Sequence, residues 1–129
     1  MGDLKHELSW SSSRAGTFER CARRYYYDYY ASWLGWGREA PDERRVPYLL
    51  KKMTRLPMLA GDVLHIELAN WFEARRAGRP MPDAQVAERA VQRLREGYRE
   101  SRDGTWREGP AKRTRLAEHH YEEACIDEA

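Results

Sequence analysis

Apolar positions recur along the chain with helical rather than strand periodicity. After a short mixed stretch ending at Leu8-Ser9-Trp10, the serines Ser9 to Ser13 offer N-cap oxygens. Phe18, Cys21, Ala22, Tyr25 and Tyr29 then follow at a spacing of three to four, which predicts a helix over about 12–31 with one buried face. Gly35 and Gly37 are expected to end it. A second helix is expected over 43–54 after Pro41-Asp42, with Pro47 tolerated only near a first turn or at a kink. The clearest pattern is over 58–77. Ala60, Val63, Leu64, Leu68, Trp71 and Phe72 fit a period of 3.6, Pro57 suits N1, and Arg75-Arg76 followed by Gly78 suits a C-terminus. Pro80-Met81-Pro82 is a rigid connector.

A last long helix is predicted over 84–102, capped by Asp83. Ala87, Ala90, Val91, Leu94 and Tyr98 face inward, while Glu88, Arg89, Arg93, Arg95 and Arg99 face water. Residues 104–110 read as loop and 111–129 as weakly helical. No stretch shows β-branched alternation, and nothing repeats. The fold class is mainly α, and 129 residues suit a single helical segment.

Composition sharpens this picture. No run of about 18 apolar residues is present, which argues against a bilayer span. The N-terminus has no apolar secretory core, and Cys21 and Cys125 match no disulfide or zinc framework, so a reduced, cytoplasmic protein is expected. The net charge of +2 hides 23 basic residues, of which four are lysines, leaving 19 arginines. Arginine grips phosphates in bidentate fashion and stacks on bases, although a GC-rich genome raises arginine content equally well.

Three groups of residues carry candidate chemistry. In Gly61-Asp62-Val63-Leu64-His65, Gly61 lies one helical turn before His65. Because helical side chains lean toward the N-terminus, the glycine leaves a hollow above the imidazole where a backbone, metal or phosphate fits. The competing reading is close helix packing around a core histidine. In Arg20-Cys21-Ala22-Arg23-Arg24-Tyr25-Tyr26-Tyr27, guanidinium groups and ring faces alternate as single-stranded nucleic acid requires, with Arg20, Arg23, Arg24 and Tyr26 the candidate contacts. A buried aromatic helix with solvated arginines explains the same pattern. His119 and His120 with Glu118, Glu122 and Glu123, alone or with His65, are a possible metal cluster or a solvated surface. Cys21 reads as a small buried apolar residue.

The order Leu8-Ser9-x-Ser11, Cys21-x-x-Arg24-Tyr25 and Gly61-x-x-x-His65 resembles the front part of RecB-type PD-(D/E)XK nucleases. That superfamily includes the helicase-associated nucleases AddB and RecB and the CRISPR adaptation exonucleases. The resemblance covers about residues 8–77, loosely to 121. It implies that His65 is a metal ligand or lies beside the metal, that Gly61 makes room for the site, that Mg or Mn is the cofactor of the complete protein and that DNA, single-stranded or at ends, is the partner. Cys21 matches the first cluster thiolate of the iron–sulfur members. These place three further cysteines near the C-terminus, where this chain has only Cys125, so no iron–sulfur cluster is expected and Cys21 is taken as structural.

The resemblance also implies a sheet bearing an aspartate and then D/E-x-K, which hold the cation and activate water. Here Pro41-Asp42 and Pro82-Asp83 read as loop or cap pairs, and the only literal D/E-x-K is Asp3-Leu4-Lys5. The expectation is therefore the helical front part of an α/β restriction-endonuclease-like fold whose sheet is missing. Such a chain is inactive alone, being a shortened product, a degraded relative, or a chain completed by another chain or domain. It exposes apolar surface on the 58–77 helix and so favours self-association. The alternative is a non-catalytic helical module that binds nucleic acid or protein through the Arg/Tyr block.

Overall fold

A computed structural model describes residues 4–121, and these divide into two compact units, 4–51 and 52–121. The described residues are mainly helical, and the nearest approach to a strand is an isolated parallel bridge between Thr54 and Leu116.

The first unit has two buried tyrosines, Tyr25 and Tyr48. Helix α1 (Ser12–Arg20) starts at Ser11, whose hydroxyl accepts the Arg14 amide as an N-cap. The expected continuous helix over 12–31 is not formed. Cys21 adopts extended geometry (φ −164°, ψ 103°), ending α1 and starting α2 (Ala22–Tyr26), which runs into a π-helical turn, Tyr27–Ala31. Cys21 serves both helices: its amide bonds to Thr17 O and its Sγ accepts the Arg24 amide at 3.4 Å. It is exposed, which corrects the expectation of a buried apolar residue. The predicted buried face is also narrower than expected. Only Tyr25 is buried, with the rings of Trp10, Phe18, Tyr29 and Tyr30 between 5.0 and 5.8 Å from it, while Phe18, Cys21 and Ala22 are exposed. These aromatic contacts replace an aliphatic core in the first unit.

The turn after the π-helix is made by Leu34 at φ 62°, not by the glycines predicted to stop the helix. Gly35 instead lets the backbone press against α3 (Asp42–Lys52), where a Cβ would overlap the Arg44 carbonyl and Tyr48. Helix α3 runs through Pro47, and its Tyr48 is buried with Trp36 5.9 Å away.

In the second unit, α4 (Leu56–Arg76) and α5 (Asp83–Arg102) form an antiparallel hairpin: Glu67 meets Arg89 and Arg93, and Leu59 meets Gly97 further along. Pro57 lies in the first turn of α4 and Gly78, at φ 71°, in the turn after it, as predicted. Asp83 is the first residue of α5 rather than its cap. Pro82 holds the cap position, so the Asp83 carboxylate acts on the helix dipole instead.

The chain then makes a 3₁₀ turn, Thr105–Glu108, inside the stretch expected to be loop. It returns along the start of α4 and enters α6 (Ala117–Tyr121). Leu116, fully buried, joins Leu59 and Val63 in a small core flanked by Leu56, Ala90, Leu94 and Tyr98. Among the described residues, no helix is long and apolar enough to cross a membrane.

Candidate functional site

Helix α4 uses a different face from the one its periodicity suggested. Leu59, Val63 and Glu67 are buried, and Asn70 and Ala74 continue that row one and two turns later. Ala60, Leu64, Leu68 and Phe72 of the predicted core face are exposed, and Trp71 is half-buried with Nε1 donating to Met81 O at 3.0 Å. The outward side, opposite the buried row, is apolar as well: Met58, Leu64, Leu68 and Phe72 are 62, 49, 42 and 61% exposed. Gly61 and His65 fall on this same outward stripe, both exposed. Among the described residues a Cβ at Gly61 would meet nothing within 4 Å, one turn from the imidazole.

Among the described residues nothing packs closely against Gly61, and His65 is not buried. This placement does not assemble a metal centre. Among the described residues no three His, Cys, Asp or Glu side chains converge on one point. A single imidazole is a poor match for Mg²⁺, which takes oxygen ligands in octahedral array. The described residues therefore form no ligand set that fits such an ion.

His119 and His120 are committed elsewhere. His119 Nδ1 lies 2.8 Å from Ser101 Oγ and its ring meets Tyr98 edge-on, while His120 Nδ1 lies 2.8 Å from Arg115 Nη2. Glu118 Oε1 accepts the Leu56 amide at the start of α4. The possible cluster of His65, His119 and His120 is thus not formed here, and Glu122 and Glu123 lie outside the described residues, as do Asp3 and Cys125.

The Arg/Tyr block belongs to the other unit. Arg20 Nε donates to Gly16 O (3.0 Å), Arg23 sits 5.9 Å from the Tyr27 ring centroid, and Arg24 pairs with Asp28 at 3.3 Å. Tyr26 is 56% exposed, nearly parallel to Tyr30 and edge-on to Tyr27. Arg20 and Arg23 have no carboxylate partner among the described residues. Apart from the buried Tyr25, the block is an exposed cationic and aromatic surface.

Two clusters escape a reading of the sequence. Arg89 and Arg93, expected to face water, instead close over Glu67, whose side chain has no exposed surface. Burial pushes the Glu67 carboxyl upward, but the hydrogen bond from Arg93, the two positive charges and the Asn70 amide outweigh it and hold the group below its usual range. The available signal was the row Leu59, Val63, Glu67 facing an arginine pair spaced i, i+4. The other cluster surrounds Trp106, a buried residue whose ring carries two guanidiniums, with Arg115 Cζ 4.2 Å and Arg107 Cζ 4.6 Å from its centroid. Burial and the neighbouring Arg107 charge lower the Arg115 pKa. No motif announces this group, since its members are scattered over 101–120.

Compared with protein-family models, with curated proteins and with solved structures, the chain matches none.

Proposed function

We propose that this chain is the helical front portion of a Mg- or Mn-dependent DNA nuclease of the PD-(D/E)XK type, working in the cytoplasm. One observation carries the reading: α4 holds Gly61 and His65 on an apolar stripe directed away from α5, with open space beside the glycine. A helix apolar on two opposite sides calls for a layer on each. The motif order Leu8-Ser9-x-Ser11, Cys21-x-x-Arg24-Tyr25, Gly61-x-x-x-His65 supports a sheet as the second layer.

In that arrangement carboxylates of the covering layer would hold the ion, which would supply an activated water for phosphodiester hydrolysis. His65 would lie beside them, and the bare backbone at Gly61 would let the layer or the DNA approach. The described residues alone are expected to be inactive. The test uses the protein expressed from its own gene, with single-stranded DNA and duplex ends in Mg²⁺ or Mn²⁺. Metal-dependent cleavage lost in His65→Ala at unchanged circular dichroism supports the proposal. Cleavage equal in the variant, or no cleavage with either metal, overturns it.

A non-catalytic nucleic-acid module is the second reading, favoured by the exposed rings of Tyr26, Tyr27 and Tyr30 on the same unit as Arg20 and Arg23, which have no carboxylate partner among the described residues. Base stacking and backbone charge both contribute on such a surface. Changing Arg23, Arg24 and Tyr26 to alanine together then abolishes oligonucleotide binding, whereas His65→Ala leaves it intact. Unchanged binding in the triple variant removes this reading.

A further inference from the structure

The recess beside Trp106, about 310 Å³ in volume, gathers positive charge, and no acid is among its described lining residues. Its wall includes Ser101, Trp106, Arg107, Arg115, His119 and His120. Neither Arg107 nor Arg115 has a carboxylate within ion-pair distance among the described residues. Arg102, also on the wall, is already paired with Asp103. Bringing two guanidiniums to one ring costs electrostatic energy, because each lies in the other's field at reduced solvation. A protein needing only to cover Trp106 could do so with one apolar side chain.

The surrounding hydrogen bonds hold this arrangement in place. Arg115 Nη2 donates to His120 Nδ1 at 2.8 Å, which fixes the guanidinium plane over the indole. The Arg115 carbonyl accepts the Thr54 amide, anchoring the segment to the start of α4. Ser101 Oγ accepts the Leu116 amide and lies 2.8 Å from His119 Nδ1. His119 Nε2 is buried and has no hydrogen-bond partner among the described residues. Trp106 is itself buried, and its ring is occupied by guanidiniums, so it orients cations rather than stacking a base.

We propose that this recess is a binding site for a phosphate monoester, with Arg107 and Arg115 as the donors to the phosphoryl oxygens and His120 as the residue that positions Arg115. A dianion offsets the repulsion between the two guanidiniums, and their planar forks match phosphate oxygens in bidentate fashion. The recess lies at the small end of ligand-site volumes, enough for a phosphoryl group and part of the residue that carries it. The ligand is a free phosphate compound or the terminal phosphate of a nucleic-acid strand. The site stands independently of the nuclease reading, since it uses neither His65 nor Gly61.

The test is an NMR titration of the full chain, following the Nε–H signals of the arginines and the indole N–H of Trp106. Inorganic phosphate is added first, then a 5′-phosphorylated oligonucleotide and the same strand with a 5′-hydroxyl. Saturable phosphate-dependent shifts at Arg107, Arg115 and Trp106 are expected, weakened about tenfold or more in Arg107→Gln. Arg107 is exposed, so this variant should leave the fold intact; Arg115→Lys gives a second variant that keeps the charge but loses the fork. Preference for the 5′-phosphorylated strand supports a strand-end ligand, and shifts with phosphate alone support a small phosphate compound. Absence of saturable shifts, or shifts unchanged in both variants, overturns the proposal.

Discussion

Glu118 Oε1 accepts the Leu56 amide at 3.0 Å, so the first turn of α4 is capped by a side chain 62 residues further along the chain. The residue in the cap position, Arg55, makes no side-chain cap bond. A carboxylate at that end also meets the positive pole of the helix dipole. Glu118→Ala is expected to destabilise the protein by about 1 kcal/mol, seen as a lower urea midpoint at unchanged slope. An unchanged midpoint removes the cap's contribution.

The clamp on Glu67 makes a prediction about acid. Arg89 Nε lies 2.9 Å from Oε2, and Arg93 bonds to Oε1. Because the folded-state pKa lies below the unfolded value of about 4.3, the clamp stabilises the protein above that pH. Its contribution fades as pH falls further, through the folded value. Glu67→Gln should flatten the loss of stability below about pH 4.3 in urea melts across that range. At neutral pH, Glu67→Ala should cost about 1–3 kcal/mol, less than a fully enclosed pair, because both arginines are 44% exposed and rehydrate.

Two helical glycines should respond in opposite directions. At Gly61 a methyl group meets nothing within 4 Å, so Gly61→Ala is expected to raise stability by about 0.5–1 kcal/mol through helix propensity alone. Under the nuclease reading the same change lowers cleavage. At Gly97 the methyl would lie 3.0 Å from both Leu59 Cδ2 and Thr114 Oγ1, in the α4–α5 seam. Gly97→Ala should therefore lower the melting temperature, while Gly61→Ala raises it.

The outward stripe of α4 can be tested without touching its core. Leu68 and Phe72 are exposed, so Leu68→Glu with Phe72→Glu should leave stability within about 0.5 kcal/mol per site. Binding of a hydrophobic dye, and any self-association seen by sedimentation, should fall. A large drop in stability would mean that these side chains are packed in solution.

The sequence places α4 and α5 well because their signals are local: Pro57 in the first turn, Gly78 at a positive φ, and apolar positions repeating at helical spacing. It does not say which face of α4 is inside. Apolar residues lie on opposite sides of that helix, and only the partner's own Leu59–Gly97 and Glu67–Arg93 contacts select one. The break at Cys21 was equally hidden, since no glycine or proline marks it and the thiol caps the next helix from an extended backbone.

Helical class, element boundaries near turn residues, an excess of arginine and the spacing of Gly61 and His65 were thus set by the chain alone, because each depends on neighbours within a turn or two. Tertiary packing decided that Gly61 and His65 point outward, that Glu67 is buried between arginines, and that Trp106 gathers two guanidiniums. Those outcomes depend on which surfaces meet after the chain has turned back on itself, and residues far apart in sequence carry no periodic trace of that encounter.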